Sequence, residues 1–149
     1  MTEEQAFADI SSRSAAELAE KYVALWSEPD ADRRRRTIAE LWTEGGRHIL
    51  QPPQEIREIA ARPGIASTPI LEARGHEEIE ARATSAYEHW VASEGLSFRG
   101  RGDAERLGDI VKFHWEAVAE DGETFAVGLV VLVVSVDGQI ARDYTFVVA

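Results

Sequence analysis

The chain has 149 residues, with 16 Lys and Arg against 27 Asp and Glu, and so a formal charge of −11 at pH 7. Domains run at roughly 100–200 residues, and with 44% hydrophobic content this length points to one domain over residues 1–149 built on one core. The negative excess argues against nucleic acid and anionic membrane surfaces as partners, and the absence of cysteine excludes disulfides, thiolate nucleophiles and Cys-ligated metals.

The N-terminal MTEEQAFADISSR lacks the basic start and apolar core of a signal peptide, so a cytoplasmic location is expected. The first helix is expected from Ser14, where Ser-Ala-Ala-Glu fits a capping box and Leu18, Tyr22, Leu25 and Trp26 recur at helical spacing until Pro29. A second helix is predicted over Ala31 to Thr43, with Ile38, Leu41 and Trp42 as its apolar stripe and Gly45-Gly46 as its end. Its run Arg33 to Arg36 reads as a solvated helical start balanced by neighbouring acids.

Arg47 to Gln51 predicts a short strand stopped by Pro52-Pro53. The stretch Gln54 to Arg74, broken at Pro63, Gly64 and Pro69, has the length and composition of a flap. A third helix is expected near Gly75, with Glu77 and Glu78 at its positive end and Ile79, Ala83, Ala86, Tyr87, Trp90 and Val91 as its buried stripe.

From Leu96 onward the apolar period becomes two. Strands are predicted near Leu96 to Arg101, Asp109 to Ala119, Thr124 to Ser135 and Gln139 to Val148, with Asp121-Gly122 and Asp137-Gly138 as hairpin turns. Helices first and strands last imply an α+β domain on a largely antiparallel sheet. The run Phe125 to Val134 is too short to span a bilayer as a helix, and because it is apolar on both faces it needs a cover on each side.

The segments KYVALWSEPDADRRRRTIAELWTEGGR and GLVVLVVSVDGQIARDYTFV, with GHEEI between them, resemble the nuclear transport factor two-like superfamily. The likeness runs from about Ala15 to Val148 and is to the branch of SnoaL-like polyketide cyclases and ketosteroid isomerases. It implies a cone-shaped α+β fold in which three helices pack on a curved, largely antiparallel mixed sheet and enclose a pocket.

Residue by residue, the resemblance is uneven. Tyr22 stands where the isomerase keeps its oxyanion-hole tyrosine, but Gln51 and Gly128 stand where it keeps its two aspartates. A glutamine amide cannot take a proton near neutral pH, which argues against steroid isomerisation. Lys112 to Glu116 has no Arg-x-Asp pair of the kind the superfamily's epoxide hydrolases use. Asp143 is the remaining candidate base, because SnoaL-like cyclases place an acid facing the pocket in the last strand.

That alignment and a period of two turn Asp143, Thr145 and Val147 to the pocket and Arg142, Tyr144 and Phe146 away from it. They also turn Phe113 and Trp115 inward and Lys112, His114 and Glu116 outward. His48, opposite in parity to Gln51, reads as a structural histidine. The dispersal of His48, His76, His89 and His114 gives no metal-binding spacing, so no metal is expected.

The implied function is a cofactor-independent, SnoaL-like small-molecule enzyme of cyclase, isomerase or dehydratase type. Asp143 would abstract a proton next to a carbonyl, Tyr22 and Gln51 would hydrogen-bond the enolate, and Trp26, Trp42, Phe113 and Trp115 would bury an apolar or aromatic substrate. The alternative is a non-catalytic ligand-binding or dimerisation module. A homodimer is expected through the outer sheet face, where Leu129, Val131 and Val133 would otherwise be exposed.

Overall fold

The computed structural model describes residues 3–54, 57–58 and 70–148, and side chains within the first helix from Ala15 onward. Helix α1 spans Glu3–Trp26 and α2 spans Ala31–Leu41. The chain then enters β1 (Trp42–Leu50) and β2 (Leu71–Arg74), followed by α3 (Gly75–Ala86), which continues as a π-helical segment over Tyr87–Ser93. Strands β3 (Ser97–Gly100), β4 (Glu105–Leu107), β5 (Ile110–Val118), β6 (Thr124–Val134) and β7 (Ile140–Val147) complete it.

The seven strands form one sheet in the order β2-β1-β7-β6-β5-β3, with β4 paired to β5. Every pairing is antiparallel except β1 with β7, which is parallel. Among the described residues, three helices on one mixed, open sheet give the expected α+β class, and the four predicted C-terminal strands appear within a residue or two of their expected ends. Gly122 and Gly138, at φ of 88° and 82°, adopt the left-handed conformation that their hairpin turns demand.

The differences have physical causes. Helix α1 runs eleven residues further toward the N-terminus than Ser14, because the residues between Glu3 and Ser14 include neither glycine nor proline to stop it. Helix α2 ends at Leu41, so Trp42 opens β1 and Gly45-Gly46 falls inside the strand, beside an irregularity between Trp42 and Arg47. The N-terminus of α2 is capped by Asp30, whose carboxylate accepts from the backbone N–H groups of Asp32 and Arg33.

The basic run is not wholly solvated. Arg34 is buried, donates to the Glu28 carbonyl at 2.7 Å and lies 5.0 Å from the Tyr87 ring centroid, so it ties the α1–α2 turn to the π-helical segment. That segment also shifts the expected stripe of α3: Ile79 and Ala83 are buried, whereas Trp90 is exposed at the surface beside Phe125.

Most of the stretch expected to form a flap lies outside the described residues. Its C-terminal end is strand β2, which extends the sheet by pairing with Arg47 to Leu50.

The core lies between α1, α2 and α3 and the inner sheet face. Tyr22 and Trp42 meet at a centroid distance of 5.7 Å and Tyr22 and Phe113 edge-to-face at 5.3 Å. Val111, Val130, Leu132 and Ile140 close the sheet side of this cluster. No described helix is long and apolar enough to cross a membrane.

Candidate active site

The parallel register of β1 on β7 sets His48 directly beside Asp143, on the face that the helices cover. Asp143 is 0% exposed, and His48 and Thr145 are buried with it. The Tyr22 hydroxyl, carried on α1, donates to Asp143 Oδ2 at 2.5 Å and lies 3.2 Å from Thr145 Oγ1. The Thr145 hydroxyl donates to Asp143 Oδ1 at 2.8 Å. Both carboxyl oxygens therefore have partners, and His48 Nε2 approaches Oδ2 at 3.6 Å.

Helix α3 supplies the remaining member. Arg82 Nη1 lies 3.0 Å from His48 Nδ1 and donates also to the carbonyls of His48 and Leu71. Trp26 covers the imidazole, its ring centroid 5.0 Å away. The Trp42 indole N–H is buried and has no hydrogen-bond partner among the described residues.

Burial dominates the electrostatics. Removal from water raises the Asp143 carboxyl from 3.8 to about 7, against the opposing pull of its bonds to Tyr22 and Thr145 and of the Arg82 charge. Burial and the Arg82 guanidinium lower His48 from 6.5 to about 3. Tyr22 is held well above 10 by burial and by the adjacent Asp143. The result is a carboxyl that exchanges a proton near neutral pH, flanked by a hydroxyl donor and a neutral imidazole.

The structure brings together Tyr22 and Asp143 and packs Trp26, Trp42 and Phe113 around Tyr22. Trp115 also faces inward but lies farther along the sheet, half-buried, against Phe98 and across Gly128. The lack of a side chain at Gly128 leaves the room that the indole fills.

Gln51 does not join the cluster. One residue past the end of β1, its amide oxygen accepts from the Val147 N–H at 3.1 Å and its own backbone N–H donates to the Thr145 carbonyl, so it continues the ladder between β1 and β7.

His48 and Arg82 were not among the expected site residues. Anchoring β1 on Gln51 turns His48 away from the centre, whereas the strand buries Gly46 and His48. Arg82 had a visible signal. It lies three residues after Ile79 and one before Ala83, so a cation stands within the apolar stripe of α3.

The outward set behaves as expected from parity. His114 bonds Asp103, and Glu116 pairs with Arg99 and Arg101, so neither arginine neutralises Asp143. The described residues contain no cluster of three metal-ligating side chains. A groove of about 500 Å³ opens between α1 and α2, lined among others by Lys21, Glu28, Arg33 and Glu40, and none of the residues around Asp143 lines it.

No protein-family model and no curated protein matches the sequence. Solved structures do. A SnoaL-like family protein from Agrobacterium tumefaciens superposes with a TM-score of 0.72 at 23% identity, over 92% of this chain and 99% of its own. A protein of ketosteroid isomerase-like fold from Catenulispora acidiphila gives 0.56 at 15% identity, over 87% and 83%. A protein assigned as a polyketide cyclase from Sinorhizobium meliloti gives 0.55 at 12% identity, over 87% and 93%. The chain therefore has the SnoaL-like, nuclear transport factor two-like fold that its sequence resembles.

Proposed function

We propose that the chain is a SnoaL-like small-molecule enzyme, of cyclase, isomerase or dehydratase type, whose proton carrier is Asp143. The observation that carries this reading is the buried Asp143 carboxyl, held near neutrality and bonded to the Tyr22 hydroxyl. A base works best when its proton affinity matches the ambient pH. A carboxylate in water is too weak a base for this, and burial corrects the mismatch.

In the proposed step the ionised Asp143 takes a proton from carbon next to a carbonyl. The C–H electron pair moves into the new C=C bond, and the carbonyl π pair moves onto oxygen to give an enolate. The Tyr22 O–H, released from Asp143 as that carboxylate is neutralised, donates to the enolate oxygen. Asp143 then returns the proton to a different carbon, or to a departing hydroxyl, which distinguishes isomerisation from dehydration. Trp26, Trp42 and Phe113 supply flat apolar surface for a hydrophobic or aromatic substrate. No step calls on a cofactor, and Gln51 keeps no role.

The test is deuterium uptake from heavy water at the carbon next to the carbonyl in bicyclic aromatic ketones such as 2-tetralone, read by mass spectrometry. Uptake faster than the buffer background and abolished by Asp143→Asn supports the enzyme. Binding of such ketones by wild type and variant alike, without uptake in either, selects a binding module on the same fold.

The second part of the reading is a homodimer through the outer sheet face. Cross-strand register places Leu129 beside Phe146, Val131 beside Tyr144 and Val133 beside Arg142, an apolar strip with a polar edge. Light scattering at micromolar concentration tests it. A dimer dispersed by Val131→Glu supports the interface, and a monomeric wild type removes it.

A further inference from the structure

The proposed chemistry uses Asp143 and Tyr22 and leaves His48 and Arg82 without a role, although both sit within the same cluster. The contact between them has one chemically possible direction. A guanidinium carries donors only, so at 3.0 Å from Arg82 Nη1 the His48 Nδ1 must be the acceptor. An imidazole whose Nδ1 accepts has its proton on Nε2, and Nε2 is the atom that points to Asp143 Oδ2 at 3.6 Å.

We propose that Arg82 is a positioning residue that fixes His48 as the neutral Nε2–H tautomer, so that the proton exchanged with substrate resides on Asp143 and never on His48. The inference rests on the enzyme reading above and deepens it. Burial already keeps the imidazole neutral, and what Arg82 adds is the choice of tautomer: without it, no donor faces Nδ1 and the ring proton is free to sit on either nitrogen. With Arg82 in place, protonation of Nδ1 would break a hydrogen bond and set two cations 3.0 Å apart.

The surroundings favour the same arrangement. Among the described residues, the charged and titratable groups around the imidazole are Arg82 from α3, Asp143 from β7 and Tyr22 from α1, with Glu78 acting on Arg82 from one turn earlier in α3. Trp26 shields the ring from the α1 side. The second and third acceptors of Arg82, the carbonyls of His48 and Leu71, anchor the guanidinium to β1 and β2, so its position does not depend on the imidazole alone.

The experiment is two-dimensional NMR of the whole chain carrying ¹⁵N-labelled histidine, from about pH 5 to about pH 8, a range that spans the usual histidine titration. In the wild type, one imidazole should keep an unprotonated Nδ1 and a protonated Nε2 throughout. Arg82→Met should remove the donor at Nδ1, so that the imidazole stays neutral but no longer holds a single tautomer and its two nitrogen shifts move toward one another. Arg82→Lys, which keeps a donor-only cation, should retain the wild-type pattern.

The proposal is overturned by a wild-type His48 that is protonated on Nδ1, by an Arg82→Met protein whose His48 keeps the wild-type tautomer, or by an Arg82→Lys protein whose His48 loses it. Should Arg82→Met not fold, the wild type and Arg82→Lys still decide. Because the measurement reads protons and not turnover, its failure leaves the enzyme reading intact, and a failed ketone exchange leaves the tautomer assignment intact.

Discussion

Two aspartate–histidine pairs lie on opposite faces of the same sheet. On the outer face, His114 Nδ1 lies 2.6 Å from Asp103 Oδ2, with both side chains about a third exposed. On the inner face, His48 Nε2 lies 3.6 Å from Asp143 Oδ2, with the pair almost wholly buried. Slight burial pushes Asp103 up, but the His114 backbone N–H and imidazole outweigh it and leave the carboxyl below its ordinary value. Burial raises Asp143 to about 7. The residue types are the same, and access of water decides in which direction each carboxyl is shifted.

The largest test of that contrast is the pH dependence of stability. Asp143 is raised from 3.8 to about 7, so its contribution favours folding at low pH and is lost as pH rises through about 7. His48 is lowered from 6.5 to about 3, so its contribution is present above 6.5 and lost as pH falls toward 3. Between 3.8 and 6.5 the two slopes oppose, and the wild type should be nearly flat there.

Removing either partner unmasks the other. Asp143→Asn should become more stable with rising pH, and His48→Gln less stable, each by about 4–5 kcal/mol across its window, on the order of 1.4 kcal/mol per pH unit. Urea titrations at successive pH values check this. Parallel profiles for the two variants would break the contrast between the faces.

Next in size is turnover. Asp143→Asn keeps shape and hydrogen bonding but cannot carry the proton, so ketone exchange should fall by roughly 100-fold or more. Asp103→Asn should leave the rate unchanged. Equal losses in both would mean that the inner carboxyl has no special chemistry.

The fold was legible because it rests on local signals. Hairpin turns at Gly122 and Gly138 and a period of two across β5, β6 and β7 specify the antiparallel sheet without any long-range information. Tyr22 is legible in the apolar stripe of α1, whereas Asp143 is turned inward only by the family resemblance combined with the alternation of β7. Strand β2 was not legible, since four residues after a proline carry no period of their own and pair only because β1 offers a partner.

The site was half legible for the same reason. His48 meets Asp143 through a parallel register between strands almost a hundred residues apart, which no local pattern encodes. Parity counted from Gln51 places His48 on the outer face, whereas β1 buries it. Arg82 was within reach, because a cation inside an apolar helical stripe signals a buried partner.

A smaller effect is expected at the inner wall. A Cβ at Gly128 would overlap the Trp115 ring, so Gly128→Ala must move the indole or the strand. Overpacking of this kind costs about 1–3 kcal/mol. Thermal unfolding should show the loss, and a shift in tryptophan emission should accompany it. An unchanged Tm and spectrum would mean that the wall yields, and would weaken the case for a shaped interior.

The smallest effect belongs to the outer pair. A carboxylate–imidazole contact with both partners reached by water contributes about 0–1 kcal/mol, and whatever charge it carries is screened by salt. His114→Gln should therefore change stability little at low salt and less at high salt. His114 stands beside Leu129 in the register, at the edge of the strip proposed as the dimer interface. If the dimer forms there, the pair loses water on association, and His114→Gln should weaken dimerisation more than it weakens folding. The readout is the concentration dependence of Tm, which steepens when unfolding is coupled to dissociation. A variant with normal dimerisation and a stability loss as large as that of the inner pair would show that exposure does not separate the two pairs, and the physical basis for assigning reactivity to Asp143 alone would be gone.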